Sequence, residues 1–158
     1  MAKKVKKGTK YTKKDSCKSC GQDVKDTLIV LVVDESGSMG PVRESTISNI
    51  NEFMGDYTHK KDEKVSFYVT TFSSGLFNKP NVRVLLEEAP ASEIKPLTLE
   101  SYSPIGGTPL FDAFGDTIDR ISTIANGRRV IFAVITDGEE NSSAKHSLTT
   151  VQKLMKDR

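Results

Sequence analysis

The sequence predicts an α/β fold: a mostly parallel, Rossmann-like sheet with helices on both faces. Three observations carry that expectation. Two unbroken apolar runs, Thr27–Val33 (TLIVLVV) and Val130–Ile135 (VIFAVI), are rich in branched residues, the pattern of strands buried on both faces. Stretches with apolar residues every three or four positions alternate with the strand-like runs, as crossover helices do. An aspartate follows each apolar run, Asp34 directly and Asp137 after one intervening residue. Open α/β sheets collect ligands outside the carboxyl ends of their strands.

The elements follow in order. After Asp34 comes ESGSMG, a turn-forming stretch, and Pro41 suits the first turn of a helix. From Val42 onward Ile47, Ile50, Phe53, Met54 and Tyr57 define one apolar helical face. Lys64–Phe72 alternates and is rich in β-branched and aromatic residues, which predicts a second strand. Asn81–Leu86 reads as a shorter edge strand. Pro90, Pro96, Pro104 and Gly106-Gly107 mark an irregular connection. Thr108-Pro109 opens a helix with an expected buried stripe of Leu110, Phe111, Phe114, Ile118 and Ile121, stopping near Gly127. A last helix is expected from Leu148 to Lys156. The aromatic residues Phe53, Phe111 and Phe114 fall on helical stripes and are read as core.

Charge divides the chain in two. Its 158 residues carry a net +2, yet residues 1–26 hold nine Lys and three Asp, leaving residues 27–158 with a net −4. Residues 1–26 hold almost no large apolar side chains and read as a basic, disordered tail. Weak contact with a polyanion is the only role for nucleic acid that this pattern suggests. No run reaches the ~18 apolar residues of a membrane span and no apolar leader follows the first lysines, so a cytoplasmic protein without membrane contact is expected. Cys17 and Cys20 form one C-x-x-C, half of a zinc site. They read either as reduced thiols or as a zinc ligand pair shared between two chains.

The chemistry gathers around Asp34-x-Ser36-x-Ser38. Alternate side chains of an extended loop point the same way, so one carboxylate and two hydroxyls can converge on a cation. Thr108, after two glycines, and Asp137 at the other strand end complete an all-oxygen set. Hard cations want such donors, which favours Mg²⁺, with Mn²⁺ or Ca²⁺ as substitutes. Zinc is disfavoured on this reasoning, because neither His59 nor His146 lies in the motif. With only two carboxylates the ion stays electrophilic and has room for another anionic ligand. Glu139-Glu140 is read as a solvated acidic pair.

This pattern resembles the metal-ion-dependent adhesion site of von Willebrand factor A domains. VLVVDESGSMG, GGTPLFDAFGDTID and VIFAVITDGEENSS stand in family order and roughly family spacing, most like the soluble bacterial and bacteriophage members. The resemblance covers about residues 27–158 and implies a non-enzymatic, metal-dependent protein-binding domain. Ser36, Ser38 and Thr108 would bind the metal directly when a ligand is engaged, while Asp34 and Asp137 act largely through water. A partner's Asp or Glu would complete the shell. The family pattern also implies one or two further strands and a helix after residue 158. Without them Val130–Ile135 would form an uncovered edge, either paired by a chain that completes the sheet or left in a shortened, inactive fragment.

Rival readings are weaker on the residues themselves. A Mg²⁺-dependent phosphohydrolase with Asp34 as nucleophile would need a second acid two residues on, where Ser36 stands. An EF-hand loop starting at Asp34 would have Met39 in place of its glycine and Ser45 in place of its last glutamate. Neither a Walker A motif nor a G-x-S-x-G elbow occurs.

Overall fold

The computed structural model describes residues 26–59, 64–77 and 79–157. The basic tail and the Cys17/Cys20 pair therefore lie outside the described residues. Four strands form one sheet in the order β3-β2-β1-β4: β1 Thr27–Asp34, β2 Val65–Ser73, β3 Asn81–Pro90 and β4 Arg129–Ile135. β1 runs parallel to both β2 and β4, whereas β3 pairs antiparallel with β2 at the edge. Three α-helices, α1 Arg43–Thr58, α2 Leu110–Ile124 and α3 Leu148–Lys156, complete the α/β architecture expected from the sequence.

Every residue of β1 is buried, because its alternating side chains serve two cores. Ile29, Leu31 and Val33 pack with Ile47, Ile50 and Met54 of α1 and with Phe67 and Val69 of β2. Leu28, Val30 and Val32 face the other way, against Tyr68 and Phe72 of β2 and Ala113 and Ile121 of α2. Helices thus cover both faces of a strand that has neighbours on both sides. Burial of this kind stabilises by roughly 1.5–3 kcal/mol per large side chain before entropy is counted.

Three expectations change. α2 turns a different stripe inward: Asp112, Ala113, Gly115, Thr117 and Ile121 are buried, while Leu110, Phe111, Phe114 and Ile118 are half-buried. Small residues let the helix lie close to its neighbours, and Phe114 instead stacks on Phe132 of β4 with centroids 5.1 Å apart. Phe53 lies at the margin of its core, 39% exposed, edge-on to Tyr57 and Phe67. The run Val130–Ile135, read as buried on both faces, is not: β4 has no outer neighbour among the described residues, and Val130 and Ile131 are 38% and 37% exposed.

Two glycines on helices give a test of this packing. A Cβ on Gly115 of α2 would stand 2.5 Å from the His146 ring, whereas one on Gly55 of α1 would meet nothing within 4 Å. Gly55→Ala should raise stability by about 0.5–1 kcal/mol through helix propensity. Gly115→Ala should lower it by about 1–3 kcal/mol through overpacking. Urea denaturation midpoints of the two variants should move in opposite directions.

Candidate metal centre

β1 delivers Asp34 to the carboxyl edge of the sheet with no solvent exposure. A buried carboxylate needs donors, and two are close. The Ser36 N–H donates to Oδ1 at 2.7 Å, and the Thr136 hydroxyl donates to Oδ2 at 2.7 Å. Thr136 is there because of register. Val33 pairs with Ile135, so the residue after each strand pair stands beside its counterpart. Sequence reading missed this threonine, since only its neighbour Asp137 carries an obvious ligand.

The loop after Asp34 turns the hydroxyls toward Asp137. Ser36 and Ser38 place their Oγ atoms 3.0 Å apart, and Ser38 donates to Asp137 Oδ1 at 2.8 Å. Ser36 is buried; Ser38 and Asp137 are exposed. Thr108 is 2% exposed. Its Oγ1 and the Ser38 Oγ lie 3.5 and 3.7 Å from the point where a Cβ on Gly138 would stand. The five residues singled out in the sequence are therefore brought together. Among the described residues no three His, Cys, Asp or Glu side chains form a metal-holding group, so this cluster has two carboxylates and otherwise hydroxyls.

The residues fit a hard cation. Oxygen ligands on neighbouring vertices of an octahedron with roughly 2.1 Å bonds stand about 3 Å apart. The observed Ser36–Ser38 and Ser38–Asp137 separations are 3.0 and 2.8 Å. Gly138 keeps the space facing Thr108 and Ser38 clear of side chain.

Behind the site, residues 140–146 are latched to the start of α2. Pro109 gives that helix no side-chain cap, so its free N–H groups need outside acceptors. Asn141 Oδ1 accepts from Thr108 N at 2.8 Å, Glu140 Oε2 from Phe111 N at 2.9 Å, and Ser143 Oγ from Asp112 N at 3.1 Å. Asp112 answers in the opposite direction, accepting from the N–H groups of Ala144, Lys145 and His146 at 2.8, 2.9 and 2.6 Å. Glu140 is thus a helix cap and not a solvated acid, which corrects the reading of Glu139-Glu140. Burial pushes the Glu140 carboxyl up, but bonds from Ser143, Phe111 and Ser142 outweigh it and hold it below the usual range. Asp112 behaves alike: burial raises it, and the three backbone N–H groups with His146 bring it below its ordinary value.

A second set of contacts holds the loop after β1 from the other side. Glu35, 5% exposed, accepts from Arg83 of β3 at 2.6 Å and from Ser103 N at 2.5 Å. Tyr102, fully buried, donates its hydroxyl to the Asp34 carbonyl. Burial raises the Tyr102 phenol, and Asp34, Glu35 and Asp137 raise it further, so it stays a donor. Gly106 has φ +77°, and a Cβ there would lie 2.4 Å from the Gly75 carbonyl oxygen, so only glycine fits.

The fold defines a known class. A family model for the von Willebrand factor type A domain matches residues 29–158, and the chain belongs to that family. Several solved structures share the fold. The vWF domain of the type V pili tip protein Mfa5 from Porphyromonas gingivalis is 17% identical with a TM-score of 0.61, over 74% of this chain and 39% of that one. The pilus adhesin SpaC from Lactobacillus rhamnosus GG is 21% identical with a TM-score of 0.62, over 75% of this chain and 15% of that one. Proximal thread matrix protein 1 from the mussel byssus, described with a zinc-occupied MIDAS motif, is 20% identical with a TM-score of 0.55, over 85% of this chain and 34% of that one. The chain therefore spans well under half the length of each. No curated protein matches the sequence. No helix among the described residues is long and apolar enough to cross a membrane.

The latch makes stability depend on pH with a definite sign. Both Asp112 and Glu140 are depressed in the fold, so their stabilisation is present above the ordinary carboxyl pKa near 4 and fades as pH falls through the lower native values. Urea unfolding followed from neutral pH downward should show that acid loss. Asp112→Asn should lower stability at neutral pH by about 1–3 kcal/mol and flatten the acid limb.

Proposed function

We propose that this domain binds a protein partner through a divalent cation, Mg²⁺ in the cell, held by Asp34, Ser36, Ser38, Thr108 and Asp137. The observation that carries the reading is the run of oxygen atoms from Asp34 through Ser36 and Ser38 to Asp137, with Thr108 across the gap at Gly138. The hydroxyls supply neutral donors, and the two carboxylates offset an ion's double charge only if both lie in direct contact. An anionic ligand from outside is then the natural remaining partner, most simply a protein Asp or Glu. Ser38 and Asp137, the exposed members, lie on the side such a group would approach.

A non-enzymatic role also has support. Both Asp34 oxygens already accept a hydrogen bond, from Ser36 and from Thr136, which makes that carboxylate a poor nucleophile. Ser36 stands where a phosphohydrolase of the Asp-nucleophile type would carry its general acid. Turnover of p-nitrophenyl phosphate with Mg²⁺, lost in Asp34→Asn, would favour the enzyme instead.

Calorimetric titration with Mg²⁺, Mn²⁺, Ca²⁺ and Zn²⁺ tests the cation site. Asp34→Ala should abolish binding while circular dichroism stays that of the folded protein. Thr108→Val and Ser36→Ala should each weaken binding by about tenfold, the loss expected for roughly 1.4 kcal/mol of ligation. Equal Mg²⁺ affinity in wild type and Asp34→Ala would remove the assignment.

A further inference from the structure

Four loops ring the cation site. They are the turn after β1, residues 74–77 and 79 after β2, the 105–107 connection before α2, and the segment after β4. Most of their outward side chains are small or polar, with a local exception. Leu76 and Phe77 are 77% and 83% exposed, more than any other large hydrophobic side chain among the described residues. Ile105, 39% exposed, stands on the neighbouring loop.

These side chains are tied to the cation site by backbone contacts. Ser74 N donates to the Gly107 carbonyl at 3.0 Å, and Gly107 N donates to Ser74 Oγ at 2.7 Å. Lys79 N closes the loop onto the Ser74 carbonyl at 2.9 Å. Gly106 is wedged between Gly75 on one side and Gly37, which donates to its carbonyl at 2.9 Å, on the other. Leu76 follows Gly75 directly, within about 4 Å from Cα to Cα, and Ile105 precedes Gly106 by the same step. Ile105 N also donates to the Glu35 carbonyl in the loop after β1 at 2.8 Å. The backbone segments that carry these side chains are therefore bonded to the segment that leads into Thr108.

Exposing two such side chains at a loop tip costs solvation free energy that a soluble surface ordinarily avoids. We propose that Leu76, Phe77 and Ile105 form an apolar rim that reads the residue next to the partner's carboxylate. The occupant is a protein segment in which an Asp or Glu is followed or preceded, within one or two positions, by a large apolar side chain. The carboxylate meets the cation while its neighbour covers the rim. This rests on the cation-and-carboxylate reading above and adds the partner's sequence preference to it.

Three blocked pentapeptides test it by NMR titration against the full chain in Mg²⁺ and in EDTA: Gly-Leu-Asp-Leu-Gly, Gly-Ser-Asp-Ser-Gly and Gly-Leu-Asn-Leu-Gly. In Mg²⁺ the Leu-flanked Asp peptide should bind at least about fivefold more tightly than the Ser-flanked one, the gain expected for partly burying one leucine. The double variant Leu76→Ser/Phe77→Ser should lose that preference and keep its Mg²⁺ affinity by calorimetry. Equal binding of the two Asp peptides to wild type, still dependent on Mg²⁺, overturns the rim and leaves the carboxylate reading standing. Equal binding of the Leu-flanked Asp and Asn peptides in Mg²⁺, lost in the double variant, overturns the carboxylate reading and keeps an apolar docking surface. Absence of binding by all three overturns both.

Discussion

Asp34 sits at the end of the central strand with its side chain wholly out of water, and both carboxylate oxygens are held by hydrogen bonds from Ser36 and Thr136. An ionised group in such a place costs several kcal/mol unless polar partners or a counter-charge compensate it. The surrounding chain is arranged to supply them. β1 lies between two parallel neighbours, so its carboxyl end faces the turns that leave β2 and β4. Tyr102 donates to the Asp34 carbonyl, and Glu35 anchors the following turn to Arg83 and Ser103. The buried charge and the hydroxyl-bearing turn are consequences of one topological position.

Much of this was legible in the sequence. The doubly buried pattern of Thr27–Val33 placed the central strand, and the bounds expected for the last helix, Leu148–Lys156, are those observed. The alternation Asp34, Ser36, Ser38 was readable because its geometry is local. What stayed hidden depends on distance. Thr136 reaches Asp34 only through strand register, across 102 residues of chain. Asp112 looks like an ordinary polar residue on a helix until residues 144–146, 32 to 34 positions on, fold over it. Glu140 was misread for the same reason: an acidic pair in a loop gives no local sign that one member caps a helix. The stripe of α2 was misjudged because hydrophobicity was weighed and size was not. Gly115 and Ala113 allow the close approach that larger residues would prevent.

The latch between α2 and residues 140–146 explains how two halves of a site from distant segments keep their relation. Thr108 precedes α2, and Asp137 precedes the latched segment. Bonds run both ways across the junction, from the N–H groups of Thr108, Phe111 and Asp112 to Asn141, Glu140 and Ser143, and from loop N–H groups to Asp112. Neither half can shift alone without stranding buried donors, each worth about 1–3 kcal/mol. The candidate site is consequently held in shape by ordinary polar bonding behind it.

The crowded backbone at Gly106 has a consequence for how such a domain could diversify. Three separate turns lean on that one position, which leaves no room even for a methyl group. Their backbones are therefore interlocked, and lengthening one would unseat the others. The side chains of Leu76 and Phe77 next to it are largely exposed, at 77% and 83%. Variation is thereby easier at such outward positions than in the interlocked backbone beneath them.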